Sequence, residues 1–343
     1  MLVTPLGRVK AAGDRSGVTI APPMTAPLSA AAPVRLGVSP ILRLEENVGQ
    51  VLRGKAEVIR LAVVSLLAGG HVLIEDVPGV GKTTLAQALA RSLGLSFQRI
   101  QFTSDLLPSD IIGVSIFNQK TQAFEFVPGP LFANVVLADE INRATPKTQS
   151  ALLEAMSERK VSVERKRYAL PEPFVVLATQ NPLEYQGTFP LPESQLDRFL
   201  MSISLGYPPR ADEKELLLSG GVEDLLEELK PVVTRESLLD LQEQVARVRV
   251  ADKLAEYILS LAETTRHGGD FLLGVSTRGA QSLFRASQAL ALCEGRGYVI
   301  PDDVQRLAPP VLGHRVVLKR AAGDLDATRK AIERVVASTP VPL

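Results

Sequence analysis

One stretch, residues 71–88 (HVLIEDVPGVGKTTLAQA), constrains the fold more than any other. The apolar run Val72, Leu73, Ile74 breaks at a proline and glycine turn, then passes into Lys82-Thr83-Thr84 and a series of residues that favour helix. A strand that feeds through a glycine-rich loop into a helix start is a ready anion site. Glycines at 79 and 81 let the backbone come close, the amides point inward, and the helix dipole adds positive potential at the same point. Read against the pattern G-x-x-x-x-G-K-[ST], the phosphate-binding segment is Asp76, Val77, Pro78, Gly79, Val80, Gly81, Lys82, Thr83 and Thr84. Lys82 is expected to reach the β and γ phosphates of ATP and Thr83 to hold Mg²⁺. The first position departs from the pattern: Asp76 stands where glycine is asked for, and its carboxylate must point away from the phosphates.

A chain of 343 residues with 45% hydrophobic residues can build two domains with real cores. Its 38 basic and 38 acidic residues cancel, so total charge suggests neither a nucleic-acid coat nor a membrane-surface protein. The single cysteine, Cys293, sits in an alanine- and leucine-rich helical run and reads as a small buried hydrophobe. Without a disulfide framework the chain suits a reducing cytoplasm. His71, His267 and His314 lack ligand spacing, and no apolar run reaches the roughly 18 residues of a spanning helix. Residues 1–38 are rich in Ala, Pro, Gly, Ser and Thr, and read as a disordered extension.

Along the chain, apolar spacing predicts a helix over 52–67, ended by Gly69-Gly70, and a strand over 97–102. A polar loop follows over 103–113, then a hairpin-like insertion over 114–134. Residues 135–140 (VVLADE) form a buried strand with two carboxylates at its carboxyl end, where open α/β sheets place their ligands. Asp139 is expected to hold Mg²⁺ through water, and Glu140 to polarise an attacking water. A helix over 146–159 leads to a hairpin over 160–170 whose tip, residues 164–167, is largely basic. A strand over 174–179 delivers Asn181 to the same sheet edge as Asp139. There its amide orients the lytic water or senses the γ phosphate, or else forms an Asx turn before Pro182. Arg198 precedes a short strand over 200–205 and is either a site residue or a surface arginine. Beyond Tyr207-Pro208-Pro209, residues 211–338 show helical spacing and no convincing strand, with helices over 215–219, 225–229, 235–248, 251–264, 277–293 and 302–308. Arg278, at the start of the longest, could swing over bound phosphate as the domains close. The boundaries are an extension over 1–38, an α/β nucleotide-binding domain over 39–207 and a helical domain over 208–343.

The ordered set PGVGKTTLA (78–86), QFTSDLLPSDIIG (101–113), FVPGPLFAN (126–134), ADEINRATPKTQSALLEAM (138–156), ATQNP (178–182), LPESQLDRF (191–199) and STR (276–278) resembles the MoxR family of AAA+ ATPases. The resemblance covers roughly residues 40–338. It implies an α/β P-loop core with a parallel five-stranded sheet, a small all-helical lid, and a homo-oligomeric ring, usually hexameric, with ATP at each interface. By motif position Lys82 and Thr83 match Walker A, Asp139 and Glu140 Walker B, Asn181 sensor 1 and Arg278 sensor 2. Arg198 resembles the arginine finger inserted into the neighbouring site, residues 51–55 resemble the adenine-contacting box, and 114–133 resemble the helix-2 insert. Family members are thought to remodel partner proteins as chaperones do or to assist metal-cofactor insertion, commonly with a von Willebrand A domain protein.

Three other functions compete. A nucleic-acid motor would use the basic tip Arg165-Lys166-Arg167, but zero net charge and the absence of a DNA-reading module stand against it. The ATPase subunit of a magnesium chelatase shares the same clade. A nucleotide-gated scaffold with negligible turnover would suit the departure at Asp76.

Overall fold

The computed structural model describes residues 38–164, 166–181, 187–218, 222–320 and 324–341. Residues 1–37 of the extension predicted over 1–38, part of the basic tip and Pro182 lie outside these residues, and Val38 already belongs to a helix. Helix α1 (Val38–Gly49) comes first, and α2 (Ala56–Leu67) follows a turn. The helix expected over 52–67 thus starts later. Gly54 takes φ +68°, and a Cβ there would collide with Asp212 Oδ2, so the chain turns at this point and Leu52 is buried in the turn.

The core continues as β1 (Val72–Glu75), α3 (Lys82–Ser92), β2 (Phe97–Gln101), α4 (Pro108–Ile112), β3 (Gly113–Asn118), β4 (Ala123–Pro128), β5 (Val135–Asp139), α5 (Pro146–Glu158), β6 (Lys160–Val163), β7 (Lys166–Ala169), β8 (Val175–Gln180), α6 (Glu193–Leu196) and β9 (Met201–Ile203). The loop expected over 103–113 contains α4, whose first turn is closed by Asp110 accepting from the Leu107 amide at 2.9 Å. Five strands form an all-parallel sheet in the order β2-β5-β8-β1-β9. Alternation along β5 sends Val135 and Leu137 into the core beneath α1 to α3, and Val136 and Ala138 into the core on the opposite face. Such two-sided burial explains why these strands read as continuous apolar runs. The register pairs Glu75 with Gln180 and Gln101 with Asp139, so β1, β8 and β5 end at one edge.

Two antiparallel hairpins stand out from this core, β3 with β4 and β6 with β7. Phe126 of the first stacks on Tyr168 of the second with ring centroids 4.0 Å apart.

The C-terminal part comprises α7 (Arg210–Leu218), α8 (Glu223–Glu228), α9 (Arg235–Arg247), α10 (Asp252–His267), β10 (Phe271–Leu273), α11 (Thr277–Cys293), α12 (Pro301–Leu312), β11 (Val317–Leu318) and α13 (Leu325–Ser338). It is a helical lid, but not strand-free, because β10 and β11 pair as an antiparallel ribbon. Strands of three and two residues, far apart in sequence, leave no periodicity to read. The helix expected over 302–308 runs on through Pro309 and Pro310, held by buried Val311 and Leu312. Helix α11 packs against α2, α9 and α12, seating the lid on the helical layer beside β1. Cys293 is buried there, and desolvation pushes its thiol well above the ordinary range.

Candidate nucleotide site

The loop between β1 and α3 takes its shape from Gly79 (φ +82°) and Gly81 (φ +98°), left-handed conformations that glycine adopts without strain. A Cβ on Gly79 would meet nothing within 4 Å, so this glycine serves conformation, whereas at Gly81 it would stand 3.2 Å from Leu52 Cδ1. Lys82 Nζ donates to the Asp76 carbonyl at 2.9 Å, bending its side chain back over the loop. The Asp76 carboxylate turns away from the cavity. Oδ2 accepts from the amides of Leu205 (2.6 Å) and Gly206 (2.7 Å) and from Ser204 Oγ (3.0 Å), and Oδ1 from the Val77 amide (2.9 Å). The carboxylate thus points away as expected, and Asp76, grouped with the phosphate-binding segment, does not line the cavity: its side chain ties the loop to the segment after β9. Val77 likewise does not line the cavity.

At the end of β5, Asp139 Oδ1 accepts from Thr179 Oγ1 at 2.7 Å, and Oδ2 takes two bonds from Arg99, from Nη2 at 2.5 Å and Nε at 3.1 Å. Glu140 sits at φ +57°, ψ +50°, an uncommon conformation for a residue with a Cβ, and its amide donates to Thr179 Oγ1 at 2.8 Å. This turn aims the carboxylate into the cavity, where Oε2 accepts from Gln101 Nε2 at 3.0 Å and pairs with Arg143 at 3.1 Å. Arg99, Gln101 and Thr179 escaped the sequence reading. The sequence carried only half of the signal: Arg99 and Gln101 lie two apart on a strand, hence on one face, but nothing local shows that the face adjoins the acidic strand end.

Pro78 to Thr84, Asp139, Glu140 and Asn181 line one cavity of about 460 Å³ with Val51, Leu52, Arg53 and Lys55 from the turn before α2. The donor set fits a nucleoside triphosphate with a divalent ion. Backbone amides of the glycine loop and Lys82 would meet the phosphates, and the apolar turn at Val51 and Leu52 suits a base. Thr83 would offer an oxygen to the ion directly and Asp139 would hold it through water. No cluster of three His, Cys, Asp or Glu ligands exists among the described residues; Mg²⁺, which is commonly bound by one or two protein oxygens with phosphate and water, would suit so sparse a set.

Arg198 and Arg278 do not reach this cavity. They line a second one of about 320 Å³ with Arg159 and Arg285, over α5 and the start of α11. Arg198 Nη1 donates to the Leu153 carbonyl (2.6 Å) and Ser157 Oγ (2.7 Å). In this arrangement Arg278, expected to swing over bound phosphate as the domains close, lies at the second cavity. The docking of α11 on α2 puts the N-terminus of α11 at the second cavity.

A five-stranded parallel sheet carrying a P-loop, paired acids at the next strand end and a helical lid define a P-loop nucleotide-binding protein of the AAA type. The profile of the ATPase family associated with various cellular activities (AAA) matches residues 71–201, and that of the AAA lid domain matches 263–335. The chain is 50% identical to the uncharacterized protein YeaC of Bacillus subtilis, over 87% of this chain and 93% of that one. It is 40% identical to Chaperone MoxR1 of Mycobacterium tuberculosis, over 95% and 89%. The crystal structure of a candidate ATPase from Cytophaga hutchinsonii superposes with a TM-score of 0.81 at 38% identity, covering 89% of this chain and 96% of that one. The chain belongs to the MoxR family of AAA+ ATPases. No helix among the described residues is long and apolar enough to cross a membrane.

Proposed function

We propose that the chain hydrolyses ATP in a site completed by a neighbouring copy within a ring, and that this cycle remodels a partner protein. One observation carries the reading: the charges of the site are divided between two cavities. In the first, each cation is engaged within the chain, Lys82 by the Asp76 carbonyl, Arg53 by Glu215, Lys55 by the Tyr207 carbonyl and Arg99 by Asp139. The second gathers four arginines instead, of which Arg159, Arg198 and Arg285 are also hydrogen-bonded within the chain, to carbonyls and neutral side chains, while none of the four pairs with a carboxylate among the described residues. Phosphoryl transfer spreads negative charge over the equatorial oxygens, and an arginine supplied by a neighbour is worth about 10³ to 10⁵ in rate. Joining the second cavity of one subunit to the first of the next unites what each chain holds apart, with Arg198 as the finger and Arg278 beside it.

Bound Mg·ATP supplies the transferable phosphoryl group and neutralises part of its charge. Of the chain's own groups, Lys82 and the loop amides hold phosphate, Thr83 and Asp139 orient the ion, Glu140 takes the proton of an attacking water, and Asn181 fixes that water in line. For the partner, the name of the chaperone relative favours a protein client, and so does the β3–β4 hairpin, which exposes Ile116, Phe117 and Phe124. A von Willebrand A domain protein, or a metalloenzyme receiving its cofactor, fits the same reading.

Glu140→Gln should keep nucleotide affinity and lose about 10² to 10⁴ in turnover, as a missing base would. Lys82→Ala should instead weaken nucleotide binding, because it removes a charge-assisted contact to phosphate. Equilibrium binding of a fluorescent ATP analogue beside steady-state phosphate release separates the two, and unchanged ATP affinity in Lys82→Ala would refute the phosphate-loop assignment.

A further inference from the structure

The turn that carries Arg198 is gripped by the lid. Arg315, in the short helical turn Gly313–Arg315 after α12, is 3% exposed and spends its guanidinium on that turn. Nε donates to Asp197 Oδ1 (2.8 Å), Nη1 to the Leu200 carbonyl (3.0 Å), and Nη2 to the Asp197 carbonyl (3.3 Å), to Ser282 Oγ of α11 (3.1 Å) and to the Phe199 carbonyl. Nη1 also donates to the Val311 carbonyl. The other Asp197 oxygen, Oδ2, accepts from Ser276 Oγ at 3.0 Å, and Ser276 is the N-cap of α11, two residues before Arg278. Both oxygens of the residue next to Arg198 are thus held by the lid.

We infer that Arg315 is a positioning residue for Arg198: through Asp197 it locks the finger-bearing turn to the head of α11, so that Arg198 and Arg278 meet a neighbouring subunit as one rigid piece. The inference rests on the shared-site reading above. Stability alone is a poor reason for such a residue, since a buried ion pair gains little over well-packed apolar side chains. A planar fork that fixes Asp197, Phe199 and Leu200, on both sides of Arg198, supplies geometry. The helix runs close enough to require it: a Cβ on Gly279 would lie 2.9 Å from Arg315 Cδ. Burial lowers the Arg315 pKa to about 10, which still leaves it charged at neutral pH. Displacement of a catalytic group by about 1 Å is enough to cost on the order of 10² in rate.

A mixing experiment tests this. Lys82→Ala subunits have a dead site and an intact finger; Arg198→Ala subunits have the reverse. Mixed, they should restore turnover at least about tenfold over either alone, since a finger acting across the interface is worth more than that. Arg315→Lys placed in the Lys82→Ala subunit, the finger donor, should cut the restored rate about 10- to 100-fold with the KM for ATP unchanged. The same substitution in the Arg198→Ala subunit should leave it at the control value. Equal loss from both placements, or no loss from either, overturns the inference while the shared site stands. No restoration in the parent mixture overturns the shared site and the inference together. If Arg315→Lys fails to fold, Ser276→Ala, which removes one bond to Asp197, takes its place with the same asymmetry expected.

Discussion

Asp76 occupies the glycine position of the phosphate-loop pattern without left-handed backbone, so nothing about its own φ requires glycine. Its carboxylate accepts bonds from three amides and a hydroxyl, which makes it a strut between β1 and the segment after β9. Restoring the pattern by Asp76→Gly should therefore harm the protein. With hydrogen bonds to a charged group worth about 1.5–3 kcal/mol each and far from additive, a loss of about 2–4 kcal/mol is expected in urea unfolding. An equal or higher midpoint would show that the strut is idle. At Asp139 the neighbour is Arg99, half exposed, whose guanidinium covers the oxygen a hydrated ion would use. Ion pairs of that exposure are worth at most about 1 kcal/mol. Arg99→Ala should accordingly lower the Mg²⁺ concentration at half-maximal binding of a fluorescent ATP analogue by up to about fivefold, and a raised requirement would mean that the guanidinium helps to hold the metal.

Elements meet at His71, the first residue before β1. Its Nδ1 accepts from the Val176 amide of β8 at 3.0 Å, so its Nε2 carries the proton and donates to the Met156 carbonyl of α5 at 3.1 Å. Desolvation lowers its pKa from 6.5 to about 4. Since the unfolded chain takes up the proton first, stability is full above pH 6.5 and is lost as pH falls from 6.5 towards 4. The shift corresponds to about 3 kcal/mol. His71→Gln should flatten that acid limb in denaturant melts at successive pH values; an unaltered limb would assign it to other groups, with buried His314, also lowered by desolvation, the next in line. Elements of this kind were legible where local pattern and burial agree. The strands around 72–75, 135–139 and 175–180 read as apolar runs because both faces are covered, and α11 follows from its Ser276 cap and unbroken period. The β10–β11 ribbon and the turn at Gly54 depend on partners distant in sequence. Arg99 was invisible for the same reason, since only the register of β2 on β5 brings it to Asp139. The position of Arg278 at the second cavity was not legible either, because motif order carries no record of where a lid docks.

The docking of that lid limits what one subunit can do. Ion pairs Arg60–Glu294 and Arg306–Glu57 tie α2 to the lid, and Arg315 binds the turn before β9, so carrying Arg278 to its own phosphate loop would break all three attachments. On the shared-site proposal, a lone subunit would hold nucleotide but lack the guanidinium that stabilises transfer. Turnover per subunit should therefore rise with protein concentration, by at least about 10² between dilute and assembled protein, given what a finger in trans contributes. Nucleotide affinity should change little, since the loop, Lys82 and the 51–55 turn belong to one chain. Sedimentation and steady-state phosphate release at matched concentrations would report assembly and rate together. Arg198→Ala should slow the assembled form and leave the dilute form as it is, because a subunit without a neighbour has no finger to lose. A rate independent of concentration, measured where sedimentation finds only monomers, would place all the catalytic groups within a single chain and leave the arginine cavity to some other anion.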